Sequence, residues 1–284
     1  MQNGIVVINK EKDCTSRDVV NQVCKIFNTK KVGHTGTLDP IATGVLVIGI
    51  NDGTKVIELL TAVEKEYIAE VVVGIKTDTL DVTGNIIKKE KQTVEKEKIK
   101  EVLNSFLGKY NQEVPIYSAV RIDGKRLYEY ARNNEKINLP QREVEIKNIE
   151  LLDINNEGTA FSFKVTVSKG TYIRSLIRDI GNRLGVFCTM KNLTRTKQGI
   201  FSLEDSSKIE EIAINKKIIK IEDSLEYPRF YVDEEKEQEI KNGKVLPLNF
   251  TENYGLFFNK NNELIAIYQP YKENLMKPYK VFKI

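Results

Sequence analysis

Apolar residues recur along this chain with two different periods, and the switches between them outline a mixed α and β protein. Residues 5–8 read as a short strand, after which the spacing becomes helical over residues 16–27. There Val19, Val20, Val23 and Ile26 form one stripe, and Thr15 or Ser16 is placed to cap it. The apolar run 45–50 predicts a buried strand. A helix through Val56, Ile57, Leu59 and Leu60 is expected over residues 53–63, then a valine-rich alternating strand over 67–75 that ends in a loop at 77–84. Helical spacing returns over 94–106, with Thr93 as the expected cap.

Residues 115–118 should be irregular, and 124–132 look like a short basic helix on an excursion from the body. Strands are expected over 143–152 and 160–167, followed by a helix over 171–184. That helix carries Ile173, Leu176, Ile177, Ile180 and Leu184 on one face, with Arg174 and Arg178 beside the stripe, one turn apart. Residues 204–227 are charged and weakly helical, which suits a connection between domains, with Pro228 at the boundary. Beyond it lie a helix signal at 234–240, a turn at Asn242-Gly243 and strand-like segments near 256–258, 264–268 and 279–282. The expected organisation is a large domain over 1–228 and a small β-rich one over 229–284.

Composition narrows the class. The chain has 284 residues, 40% hydrophobic and 30% charged, which fits a globular protein with a substantial core. Its longest apolar run, 45–50, is interrupted by Gly49 and is far too short to span a bilayer. The first residues lack the basic start, long apolar stretch and cleavage site of a signal peptide, so a cytoplasmic location is expected. Cys14, Cys24 and Cys188 are far apart in sequence and only one histidine is present, so neither a disulfide framework nor a zinc site is expected. The net charge of +4 is unevenly spread. Between Lys164 and Ile200 eight Lys or Arg stand against Asp179 alone, giving +7 there and leaving −3 for the remainder. A phosphate-facing surface and an ordinary solvated basic face both fit that concentration.

The most distinctive string is Gly33-His34-Thr35-Gly36-Thr37-Leu38-Asp39-Pro40, followed by Ile41-Ala42-Thr43-Gly44. It sets one carboxylate in a glycine-punctuated loop. On local chemistry Asp39 and Pro40 could cap a short helix, or Asp39 could be a catalytic carboxylate. The string resembles the G-H-x-G-x-L-D-P-x-A-x-G signature of the tRNA pseudouridine synthase B family, with every fixed position filled. Further family-like segments follow in order: Lys65-Glu66-Tyr67, Thr77-Asp78-Thr79-Leu80-Asp81, Pro115-Ile116-Tyr117-Ser118-Ala119, Gly124 to Arg132, Ser168 to Leu176, and Leu193-Thr194-Arg195-Thr196.

The resemblance implies an α+β pseudouridine synthase fold: a mixed, mainly antiparallel sheet flanked by helices, with a small C-terminal β-rich domain of the PUA type. It implies isomerisation of the uridine at position 55 in the TΨC loop of tRNA, with no metal or other cofactor and no guide RNA, by a chain expected to be monomeric. Asp39 would be the nucleophile, or the base in a glycal route, and because it must be charged a cation is expected beside it, with Arg174 as the match. Tyr67, Tyr172 and Leu193 would line the uracil site, Asp81 would support it, and His34 would fill the space of the flipped nucleotide. The insertion at 124–140, with Lys125, Arg126 and Arg132, would close over the RNA, and Lys169, Arg178 and Arg195 would hold phosphates. A guide-RNA-dependent relative and a tRNA-folding chaperone are the rival readings. Two departures stand out: Arg121 replaces the commoner lysine, and Glu11 and Asp13 stand where the family usually has proline and glycine.

Overall fold

The computed structural model describes residues 2–248 and 250–282. Its centre is a nine-stranded sheet. Across it the strands run in the order Gly4–Lys10, Thr43–Ile50, Cys188–Gln198, Lys65–Val73, Ala160–Val167, Gln141–Ile154 and Gly108–Glu113. Val32–His34 pairs with Thr43–Ile50, and Phe201–Ser202 pairs with Cys188–Gln198, both at the sides of this path. Neighbours are antiparallel except where Thr194 and Arg195 run parallel to Thr43 and Gly44. The expected mixed, mainly antiparallel class is the one observed.

Both faces of the sheet near its N-terminal strand are covered, which explains the continuous apolar run there. Val6, Ile8, Leu46 and Ile48 face one core together with Val19, Val20 and Val23 of the helix Ser16–Ile26 and with Ile173, Leu176, Ile177 and Ile180 of the helix Ile173–Leu184. Their neighbours Ile5, Val7, Val45 and Val47 point the other way, onto Leu256, Phe258, Leu264 and Ile267 of a five-stranded C-terminal sheet. That sheet begins at Arg229 and carries a small core of its own around Ile240, Phe257 and Tyr268. It is therefore attached through a shared apolar layer.

The segment 204–227, expected as the connection between domains, packs against the large sheet. Ser207 bridges Ile8 and Ile219 bridges Ile5, while Ile212, Ile221 and Leu225 are buried. Several boundaries shift. The helix expected over 53–63 is a 3₁₀ turn, Asn51–Val56, and then a short helix, Ile57–Thr61. The helix expected from residue 94 begins at Lys96 behind Glu95, so Thr93 is not its cap. By contrast Thr15 caps Ser16–Ile26, accepting from the Asp18 N–H while Asp18 accepts from the Thr15 N–H. Strands Ile86–Lys89 and Gly108–Glu113 and the central strand Cys188–Gln198 carry no signal that the hydrophobic pattern revealed.

Candidate active site

The string around Asp39 forms a loop between Val32–His34 and Thr43–Ile50, and no helix follows Asp39 for it to cap. The helix-cap reading is thereby removed. Almost every residue of the loop is tied down. Thr35 donates its N–H to Val47 O at 3.0 Å and accepts from Gln198 Nε2 through its hydroxyl. Gly36 O accepts from Arg195 Nη2 at 3.1 Å. The Leu38 N–H donates to Ser16 Oγ at 2.9 Å, and Ser16 Oγ donates to Leu38 O at 3.2 Å. Pro40 O accepts from the Asp13 N–H at 2.9 Å and from Lys10 Nζ at 3.3 Å. The hydroxyls of Thr43 and Thr194 lie 2.9 Å apart. At Gly44, with φ of +101°, a Cβ would sit 2.2 Å from Arg195 O, so the loop can pass this close to the central strand only with glycine there.

These contacts resolve the N-terminal departure from the family pattern. Asp13 occupies the left-handed region, φ 64°, so it makes the same kind of turn a glycine would. Lys10 is fully buried, its ammonium donating to Glu11 O, Cys14 O and Pro40 O, and burial pushes its pKa down.

Asp39 meets Arg174 in a two-pronged ion pair: Nε donates to Oδ2 at 2.8 Å and Nη2 to Oδ1 at 3.1 Å. The arginine side chain is 6% exposed, the aspartate 33%, so the carboxylate stays open to a ligand while its partner is sealed in. Arg174 also donates to Thr79 O and Tyr117 O, each at 2.9 Å. One guanidinium therefore joins three loops that are far apart in sequence. Asp81 acts one step behind: its Oδ1 accepts from Thr79 Oγ1 at 3.0 Å and from the Thr83 N–H at 2.9 Å, shaping the turn that presents Thr79 O. It caps its own turn and supports Arg174 by doing so. Tyr67 and Leu193 are buried in the core cluster that includes Leu38 and Ile41 of the loop. Tyr172, half-buried, immediately precedes the Arg174 helix and exchanges backbone hydrogen bonds with the side chain of Gln112. His34 closes the strand leading into the loop.

The expected basic surface divides: Arg174 and Arg195 turn inward, while Lys169, Arg183, Lys191 and Lys197 stay exposed. Arg195 is 1% exposed, with Nε on Val45 O at 2.6 Å, and cannot reach a phosphate while it holds the loop. Arg178 is engaged by Glu113 at 2.7 Å and Asp179 at 2.9 Å. Burial raises the Asp179 pKa, against the opposing effect of Arg178. Lys164 pairs with Glu66, Lys191 with Glu70, and Arg183 lies over Phe106. The positive charge of 164–200 is thus divided between internal partners and the surface, which net charge along a sequence cannot reveal. The insertion keeps its own charge outside. A small hairpin, Arg121–Ile122 with Lys125–Arg126, leads into the helix Leu127–Arg132. There Arg126 and Arg132 flank the Tyr128 ring, and Lys125 lies over Tyr130 while pairing with Glu135. Between the insertion and the Ile75–Thr77/Ile86–Lys89 hairpin a cleft of about 1030 Å³ is lined by Asp78, Ile87, Tyr117, Ile122 and Lys136 among others.

Residues 24–173 match the model of the TruB family pseudouridylate synthase, N-terminal domain. A protein named tRNA pseudouridine synthase B from Shouchella clausii is 41% identical over 295 residues, covering 98% of each chain. One of the same name from Thermotoga maritima is 41% identical over 279 residues, covering 94% of this chain and 90% of its own. Among solved structures, a chain of a Cbf5-Nop10-Gar1 complex superposes with a TM-score of 0.72 at 27% identity, covering 94% of this chain and 78% of that one. A chain of an H/ACA RNP bound to a substrate RNA containing 2'-deoxyuridine superposes with a TM-score of 0.75 at 24% identity, over 99% of this chain and 85% of that one, a likeness of fold alone.

Proposed function

We propose a tRNA substrate for this chain on the strength of its family: it belongs to the TruB family of pseudouridylate synthases, and its relatives of similar length are named for action on tRNA. The reaction is an isomerisation. The N1–C1′ bond of a uridine breaks, the uracil turns within the site, C5 bonds to C1′, and the proton released from C5 is balanced by the one taken up at N1. Asp39 is the group we assign to start it, by attack on C1′ or by removing the C2′ proton. The observation that carries this reading is the Arg174 pair, because the loops bearing Asp39, Thr79 and Tyr117 converge on a buried guanidinium that leaves the carboxylate facing outward.

A uridine stacked in an RNA loop cannot reach this carboxylate, so it must be flipped out, at a cost of a few kcal/mol that stacking and phosphate contacts offset. Tyr67, Tyr172 and Leu193 are assigned to the base, His34 to the space it vacates, and the 124–140 insertion, with Lys169, to the RNA backbone. The site of action is uridine 55 of the TΨC loop. Incubation of the purified protein with an unmodified tRNA transcript and no guide RNA, followed by mapping, should give pseudouridine at position 55 alone. Product elsewhere would overturn the site. Product only when a guide RNA is added would favour the guide-dependent reading, and tight binding without any product the chaperone reading.

A further inference from the structure

Gly36 lies between two side chains that serve no common purpose in the reaction as written above. Its N–H donates to His34 Nδ1 at 3.2 Å, and its carbonyl accepts from Arg195 Nη2 at 3.1 Å. Arg195 cannot swing away, since its Nε is committed to Val45 O at 2.6 Å and the residue is buried. A ring nitrogen that accepts a hydrogen bond cannot carry a proton. With Nδ1 accepting from Gly36, the imidazole must be neutral and hold its single proton on Nε2. The peptide between the two groups transmits the effect: a cation on its oxygen strengthens its N–H as a donor, as hydrogen bonds in a chain polarise one another.

The surroundings act in the same direction. Burial, followed by the positive charges of Arg17 on the first helix and Arg195 on the central strand, pushes the His34 pKa below its usual value.

We propose that Arg195 is a positioning residue that acts through the Gly36 peptide to fix His34 as the neutral imidazole protonated at Nε2. The ring that takes the place of the flipped nucleotide is then flat and uncharged and offers one N–H donor at its far edge. This rests on the assignment of His34 to the vacated space. An imidazolium there would have to be desolvated inside the base stack, and a ring protonated at Nδ1 would turn an acceptor edge toward the RNA and a donor against the Gly36 N–H.

His34 is the only histidine of the chain, so uniformly ¹⁵N-labelled protein gives one imidazole to read. Long-range ¹H–¹⁵N spectra of the free protein should show Nε2 protonated and Nδ1 bare at neutral pH, with titration below the ordinary imidazole value. In Arg195→Lys, which keeps the charge but cannot span both carbonyls, His34 should become a mixture of tautomers. Its single-turnover rate should fall about tenfold, with tRNA affinity and salt dependence unchanged. His34→Gln, whose amide can donate from the position of Nε2, should retain several times more activity than His34→Phe. A wild-type ring protonated at Nδ1 overturns the proposal, as does an unaltered tautomer in a folded Arg195→Lys protein. If that variant does not fold, the wild-type tautomer and the Gln-versus-Phe ranking decide. The spectra need no RNA, so they stand whether or not the tRNA reading holds; an Nε2-protonated ring with equal activity in both His34 variants would leave the tautomer and remove its use in flipping.

Discussion

The loop around Asp39 and the insertion after Ser118 would both touch the same RNA, yet they are built in opposite ways. The loop is bound by partners distant in sequence: Ser16, Lys10 and Asp13 from the N-terminal side, Arg174 from the helix of the opposite half, and Thr194, Arg195 and Gln198 from the central strand. The insertion is held mostly by itself. Arg126, Tyr128 and Arg132 stack on one another, Lys125 pairs with Glu135, and Leu127 is its buried anchor, its N–H donating to Val120 O. Chemistry on a carboxylate needs a geometry fixed before the substrate arrives, because reorganisation is then already complete. Gripping RNA by its backbone and bases needs exposed charge and aromatic faces that can adjust. The contrast is one of where the polar groups find partners: across the fold in one region, within the segment in the other.

Removing the chemistry from the rigid region tests the comparison most strongly. Asp39→Asn keeps the size of the side chain and can still accept from Arg174, but it removes the group assigned as nucleophile or base. Turnover should fall by at least ~10⁴-fold, roughly 5–6 kcal/mol of transition-state stabilisation, while tRNA affinity changes by less than about tenfold. Near-normal product from a folded Asp39→Asn protein would end the assignment.

The next test breaks the frame without touching the carboxylate. Gly44→Ala forces a Cβ to within 2.2 Å of Arg195 O at a backbone φ of +101°, with backbone on both sides of the clash. The Thr43–Ile50 and Cys188–Gln198 strands would have to part, at a cost of about 3 kcal/mol or more. Urea denaturation should show that loss, and whatever protein remains folded should have lost activity as well. Unchanged stability would mean that the parallel contact between these strands is softer than its geometry implies.

That contact is also where sequence reading reached its limit. The helix Ser16–Ile26 was legible from its apolar stripe and its Thr15 cap, and the strand Ala160–Val167 from strict alternation, because in both the buried positions, Ser16 apart, are apolar. The Cys188–Gln198 strand, the one that organises the Asp39 loop, carried no such signal. Its interior positions include Thr189, Arg195 and Gln198, polar groups that donate to Ile75 O, Val45 O and Leu60 O, carbonyls of other elements brought there by folding. Register shifts between Met190 and Asn192 and between Arg195 and Lys197 further break its period of two. The family-like motif at Asp39 and the candidate partner Arg174 could be picked out individually. That Thr79 and Tyr117 would meet on the same guanidinium could not, since those contacts are through backbone carbonyls, which have no side-chain signature.

The self-contained region should respond in a different currency. Replacing Lys125, Arg126 and Arg132 together with alanine removes three of the insertion's cations while leaving Leu127 in place. The log–log salt dependence of tRNA binding should flatten by about two to three units, and affinity at low salt should drop tenfold or more. Single-turnover rate at saturating tRNA should change by less than about threefold. A large loss of that rate with an unchanged salt slope would show the insertion to be part of the rigid site, and the comparison would fail.

The smallest effect is the most discriminating about how the loop is clamped. Asp13 holds φ of 64°, and what it gives to the Asp39 loop is its backbone N–H, donated to Pro40 O at 2.9 Å. If the shape of the turn is what matters, Asp13→Gly keeps the bond and relieves the strain of a side chain in the left-handed region, while adding freedom to the unfolded chain. These oppose each other, so stability should change by no more than about 1 kcal/mol, with single-turnover rate unchanged. Asp13→Val should be worse on both counts, because a β-branched residue resists that conformation and would draw the N–H away from Pro40. A rate that falls in Asp13→Gly as far as in Asp13→Val would locate the contribution in the carboxylate side chain, and the clamp at Pro40 would then be electrostatic and not a matter of backbone shape.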